Sequence, residues 1–205
     1  MSDRVVALLL DWPPATAGCP PGIAPAAFAR ALAEDVADLV SDVPGLDPAI
    51  VYSPDRRADA DAVSWPAMLL VEIRNGVGAL AALAALAERG YRQGAVVAPD
   101  VPDLPALMIA KPFSGLATAV VAVSPADGGG LVALASRLPV PDWLAGSGVD
   151  LDSPDAVPRL HAAAPRSRDL VLTPSWRRLR SPADIAHLDP GLEGWEATRA
   201  LLSRR

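Results

Sequence analysis

The residues whose types and spacing could do chemistry lie in two stretches, AVVAPDVPDLP at residues 95–105 and SPADGGG at residues 124–130. In the first, Ala95, Val96, Val97 and Ala98 run into Pro99, Asp100, Pro102, Asp103 and Pro105, the pattern of a buried strand ending in an acidic turn. Open α/β sheets place their ligand crevice in the loops beyond the carboxyl ends of the strands. Carboxylates there can hold a hydrated divalent cation against phosphate oxygens. Asp100 and Asp103 are therefore a candidate pair. The competing reading is structural: Asp103 N-caps a helix beginning near Pro105, and Asp100 and Pro102 shape the turn. In the second stretch Asp127 precedes Gly128, Gly129 and Gly130. Three glycines open backbone conformations closed to other residues and let a ligand approach the main chain. They serve equally as a tight connection between Val123 and Leu131.

Two further features bear on anions. Arg166, Arg168, Arg177, Arg178 and Arg180 crowd a short stretch of an otherwise acidic chain. Guanidinium groups match phosphate oxygens in bidentate fashion, although such clusters are more often a solvated surface. Asn75, Gly76 and Gly78 precede an Ala/Leu helix and could present amides to a phosphate, but without the full spacing of a dinucleotide or P-loop fingerprint. Two histidines, His161 and His187, and one cysteine, Cys19, leave no reading as a hydrolytic triad or a Cys/His zinc site. The aspartates Asp55, Asp150, Asp152 and Asp155 read as turn formers. The five tryptophans read as core and edge packing.

The elements that must position these groups alternate. Strands are expected at residues 4–10, 49–52, 68–73, 95–98, 117–123, 131–135 and 169–173. Helices are expected from Pro25 to about residue 40, and at 77–89, 104–111, 154–164, 182–188 and 194–203. Residues 56–61 read as a charged surface connection and 143–155 as loop. Strand and helix in alternation predict an α/β sheet, mostly parallel, in one domain spanning residues 1–205.

A formal charge of −6 argues against a nucleic-acid backbone as partner. The longest apolar runs, at residues 79–87 and 119–123, fall short of the roughly 20 residues that cross a bilayer. The N-terminal stretch reads as a first strand and not as a signal peptide. The expectation is a cytoplasmic protein that binds neither nucleic acid nor membrane. An apolar Pro-rich loop, residues 12–25, is a candidate contact for a protein partner.

Taken in order, ALAERGYRQGAVVAPDVPDLP, SPADGGGLVALASRLP and LRSPADIAHL resemble landmarks of the glycosyltransferase-A-like nucleotidyltransferases. The chain is most similar to the bacterial selenodomain-associated transferases, with the 2-phospho-lactate guanylyltransferases a second relative. The resemblance implies a three-layer α/β/α sandwich, a nucleotide or nucleotide-sugar ligand and a divalent metal, Mg or Mn. It makes Asp100 the metal- or sugar-contacting aspartate, with Asp103 in the same loop and Asp127 and Gly128 to Gly130 on the acceptor side. Two departures stand out. No Lys or Arg occurs between Arg4 and Arg30, where the family carries a basic loop around the nucleotide phosphates. Where the family has Asp-Val-Asp-Thr-Pro-x-Asp, this chain reads Arg178, Leu179, Arg180, Ser181, Pro182, Ala183, Asp184. An arginine in place of a metal-binding carboxylate reverses the local charge. Two functions follow. One is a transferase-like protein with a degenerate nucleotide and metal site, acting as a ligand- or partner-binding protein. The alternative is an active glycosyl or nucleotidyl transferase in which Arg180, with Arg178, takes over the cation's task.

Overall fold

The computed structural model describes residues 2–10, 16–74, 76 and 78–204. The expectation placed on Asn75, and residues 12–15 of the Pro-rich loop, fall outside the described residues; in the rest of that loop Cys19 and Ile23 pack against the cluster of Phe28, Leu32 and Leu179.

Seven strands form one sheet in the order β3-β2-β1-β4-β6-β5-β7. They are β1 (Arg4–Leu10), β2 (Asp47–Tyr52), β3 (Leu69–Glu72), β4 (Gln93–Val97), β5 (Val121–Pro125), β6 (Leu131–Arg137) and β7 (Leu170–Leu172). β1 lies parallel to β2 and β4, β2 to β3, and β5 to β7. β6 runs antiparallel to both its neighbours, β4 and β5. The short connection over residues 126–130 dictates this, because a parallel return would need a crossover of a dozen residues or more. All other strands therefore end at the sheet edge where β6 begins.

The helices are α1 (Pro25–Ser41), α2 (Arg57–Val63), α3 (Ala79–Glu88), α4 (Ala106–Gly115), α5 (Asp142–Ala145), α6 (Ala156–Ala163) and α7 (Glu196–Leu202). Strand alternation assigns the layers. Arg4 pairs with Gln93 across β1 and β4, and Arg4 lines a crevice with Val43, just beyond α1, and with Phe113 of α4. α1 and α4 thus share the face towards which Gln93 points. Gly94, the next residue of β4, faces the other side, where a Cβ would lie 3.2 Å from Leu83 and 3.6 Å from Leu86 of α3. Helices cover both faces, giving the three-layer α/β/α sandwich, with β1 and β4 buried at its centre.

Several elements differ from expectation: β5 begins at Val121, four residues later than expected, and residues 182–187 form a 3-10 helix. Residues 57–63 form α2 instead of a plain surface connection, because Ala60 and Val63 are buried and an Arg57–Asp61 pair at 3.0 Å supports the exposed side. α4 runs on through Pro112 to Gly115. A Cβ on Gly115 would lie 3.0 Å from that of Ala122, so the glycine lets this helix approach β5 closely. Residues 142–145 form the single turn α5. A second, smaller cluster joins Phe28 and Leu32 of α1 to Leu179, Leu188 and Trp195. It anchors the C-terminal segment beneath the candidate site.

Candidate functional site

β4 delivers Asp100 and Asp103 at its carboxyl end, both almost fully buried. The strand-like segment after β7 is laid against them. Trp176 accepts a hydrogen bond from the Asp127 amide at 2.9 Å, and its own amide donates to Pro125 O at 3.1 Å. The Leu179 amide donates to Asp100 O at 2.9 Å. Residues 176–180 thereby bridge the two loops singled out in the sequence.

The side chains of this segment occupy the two aspartates. Arg178, itself buried, donates from Nε to Asp100 Oδ1 at 2.6 Å and from Nη1 to Leu131 O and Leu151 O at 3.0 Å each. Its Nη2 lies 2.8 Å from Asp152 Oδ1. Asp103 accepts from Trp176 Nε1 at 3.2 Å and pairs with Arg177, whose guanidinium stands 4.7 Å from the Trp176 ring centroid. Arg180 donates from Nη1 to Gly129 O at 3.1 Å and from Nη2 to the same Asp152 Oδ1 at 2.8 Å. Burial pushes the Asp100 carboxyl up and Arg178 pulls it back. Burial, with the neighbouring Arg178 charge, holds the Arg180 guanidinium below its ordinary value.

The arrangement does not fit a divalent cation. Asp100, the carboxylate that the resemblance assigns to a metal, already holds the Arg178 guanidinium on Oδ1, and that positive charge stands where it would repel a cation. Among the described residues no three His, Cys, Asp or Glu side chains gather as a metal site. Of the two arginines expected together near the acidic pair, Arg178 contacts Asp100 directly, while Arg180 stands nearer solvent. Asp103 does not cap a helix: α4 starts after Pro105 without a side-chain cap.

Gly128, Gly129 and Gly130 all have positive φ, but the chain itself occupies the space that two of them leave. A Cβ on Gly129 would lie 2.9 Å from Pro154 O. One on Gly130 would lie 2.6 Å from Leu151 O and 2.8 Å from Arg180 Nη2. Residues 150–154 thus cross the turn as a strap. Only Gly128 faces open space. It borders an open crevice of about 580 Å³ together with Asp127, Arg177, Arg180, Asp184 and His187.

Asp150 ties the other end of the strap. Its Oδ1 accepts the Ala79 amide at 3.0 Å, so the chain's own carboxylate sits at the N-terminus of α3. A Cβ on Gly78 would lie 2.7 Å from Asp150 Oδ2. The first amide of that helix is therefore satisfied internally, and Gly76 stands apart in open surroundings. Asp150 and Asp152, read from the sequence as turn formers, are both part of the site. The one signal for them was charge: an acidic stretch in a chain whose basic cluster needs partners.

No protein-family model matches the chain, and no curated protein matches it either. Solved structures do resemble it. A protein described as a nucleotide-diphospho-sugar transferase from Desulfovibrio desulfuricans G20 superposes with a TM-score of 0.70 at 18% identity, over 100% of this chain and 98% of that one. CMP:2-keto-3-deoxy-manno-octonic acid synthetase, solved with CTP, gives 0.59 at 12% identity over 99% of each chain. Rv0371c from Mycobacterium tuberculosis, solved with manganese, gives 0.55 at 14% identity over 98% of each. The chain has the nucleotide-diphospho-sugar transferase-like fold.

Proposed function

We propose that the protein is a nucleotidyltransferase-like binding protein that takes a phosphate-bearing ligand, a nucleotide or nucleotide-sugar, without a divalent cation. One observation carries the reading: the buried Arg178 guanidinium sits on Asp100 Oδ1 at 2.6 Å, in the loop that bears the acidic site of this fold by the sequence resemblance. A fixed positive charge there does part of what a cation would do, but it cannot exchange ligands or activate a bound water. Asp100 and Asp103 are committed to arginines and are not free to act as bases. The resemblance to selenodomain-associated transferases supports the ligand class. So do the structural neighbours, one of which was solved with CTP and another with manganese.

A second reading, a metal-independent transferase, rests on the crevice beside Gly128. Arg177, Arg180 and Asp127 all line it. The two guanidiniums would neutralise a phosphoryl group, and Asp127 would accept the proton of an attacking hydroxyl.

The test is calorimetric titration of the native chain with nucleoside triphosphates and nucleotide-sugars, each with magnesium, with manganese and with a chelator. The expected result is binding that is indifferent to the metal and weakened by Arg180→Ala. Metal-dependent binding, or transfer that stops on chelation, would overturn the binding-protein reading. Transfer that persists in chelator would favour the second.

A further inference from the structure

Asp152 holds an unusual place in the site. Its Oδ1 lies 2.8 Å from Nη2 of Arg178 and 2.8 Å from Nη2 of Arg180, so one carboxylate oxygen bridges two guanidiniums. Asp100 and Asp152 face Arg178 and Arg180, and Asp103 faces Arg177, while Asp127 and Asp184 also line the adjoining crevice. The partners differ in exposure. The Arg178 side chain is 1% exposed and Asp100 0%, whereas Arg180 is 31% and Asp152 46% exposed. Arg178 keeps Asp100 and two carbonyls if Asp152 leaves, and Arg180 keeps Gly129 O. Asp152 has no comparable second hold on the basic pair. It belongs to the strap over residues 150–154, whose other tie is the Asp150 contact with α3. The open crevice of about 580 Å³ adjoins the same two arginines. The Arg180–Asp152 pair is exposed enough for solvent to screen it, and an incoming anion would replace Asp152 as the partner of the buried Arg178, so the exchange leaves neither guanidinium without a counter-charge.

We propose that Asp152 is a resident counter-anion, and that an oxyanion of the ligand displaces it from Arg178 and Arg180. The inference rests on the phosphate-binding reading above and adds its regulation: the chain closes its own anion position with a strap carboxylate. Displacement needs no change at the buried Asp100–Arg178 pair. Asp152 swings to solvent, and the incoming oxyanion takes the two Nη2 groups from the crevice side.

The experiment is calorimetric titration of the full chain with inorganic pyrophosphate in chelator, with malonate as the carboxylate counterpart. It compares the native protein with Asp152→Asn, Asp152→Glu and Asp152→Asn/Arg180→Ala. Asp152→Asn, nearly isosteric and neutral, is expected to bind at least about tenfold more tightly, as removal of one competing charge in a partly solvated site implies. Asp152→Glu should bind like the native chain, and the double variant should lose the gain. A gain with pyrophosphate assigns the position to phosphoryl groups, and one with malonate to carboxylates. Either supports exchange. Equal binding by the native chain and Asp152→Asn would overturn the proposal, as would a gain that survives removal of Arg180. Circular dichroism of each variant separates these outcomes from misfolding, and Asp152→Ser, which also removes the charge, carries the comparison should Asp152→Asn fold poorly. Failure of nucleotide binding by the native chain would leave this ratio intact, so the two readings fail separately.

Discussion

Arg178 Nε donates to Asp100 Oδ1 at 2.6 Å, with the two side chains 1% and 0% exposed. Two charges taken this far from water are stabilised only by one another and by hydrogen bonds to their remaining atoms. The guanidinium meets that demand with both carbonyls and Asp152. Asp100 does not: its Oδ2 is buried with no hydrogen-bond partner among the described residues. The pair is thus asymmetric, a guanidinium whose hydrogen bonds are met by the protein holding a carboxylate with one unpartnered oxygen.

Breaking the pair from one side should be costly. Arg178→Ala leaves Asp100 uncompensated and strips Leu131 O and Leu151 O of a donor, so about 3–5 kcal/mol of folding stability is expected to go. Replacing both charges, as Arg178→Met with Asp100→Leu, should recover most of that loss, because well-packed apolar residues substitute for buried ion pairs at little cost. Urea denaturation of the two variants checks this. A single variant within about 1 kcal/mol of native would mean the pair does not hold the loop.

The three glycines after Asp127 should not respond alike. All have positive φ, but a Cβ on Gly128 meets nothing within 4 Å, whereas one on Gly130 meets Leu151 O at 2.6 Å. Gly128→Ala is expected to cost about 1–2 kcal/mol for conformation alone. Gly130→Ala should cost at least about 2 kcal/mol more, because backbone must move to admit the methyl. Equal losses in thermal or chemical denaturation would show that the strap yields freely.

Manganese is expected to leave the melting temperature of the native chain unchanged, with or without chelator. A ligand that binds only the folded state must raise it, and here the cation's oxygens already face a guanidinium. A chelator-reversible rise would place a metal on the chain and count against Arg178 as the resident cation.

Much of this architecture is legible in the chain. The apolar runs ending in Leu10, Tyr52 and Val97 are strands buried on both faces, for which no alternation is needed. Pro25 opens α1 as its fixed φ allows. Asp100, Asp103, Asp127 and the arginines near residue 178 are brought together because β4, β5 and the segment after β7 all end at one sheet edge. What the sequence hides is who pairs with whom. Arg178 and Arg180 lie on one short segment, and only the burial of residue 178 against Leu131 and Leu151 selects it as the partner of Asp100. Asp150 and Asp152 sit in a stretch with no periodic pattern, so their contacts with α3 and the arginines depend on long-range packing that local spacing does not encode. α2 is hidden for a related reason: Arg57, Asp59 and Asp61 mask the two residues, Ala60 and Val63, that bury it.

The C-terminal helix offers a pH test remote from the site. Asp35, on α1, accepts the Ala197 and Thr198 amides at 2.9 Å each and so caps α7 across the fold. Burial raises its carboxyl from 3.8 to about 6, more than the hydrogen bonds from Thr198 and Ala197 lower it, with Asp38 adding to the rise. Between those two values the folded chain holds a proton that the unfolded chain has released, so stability falls as pH rises through this window. The rise corresponds to roughly 3 kcal/mol. Asp35→Asn cannot titrate there. The native-minus-variant difference in folding stability, from urea titrations at stepped pH, should therefore decline by about that amount between roughly pH 4 and 7. A difference that stays flat would mean the two amides and the α7 terminus stabilise the carboxylate well enough to offset its burial. The anchoring of the C-terminal segment beneath Arg178 and Arg180 would then be independent of pH across that window.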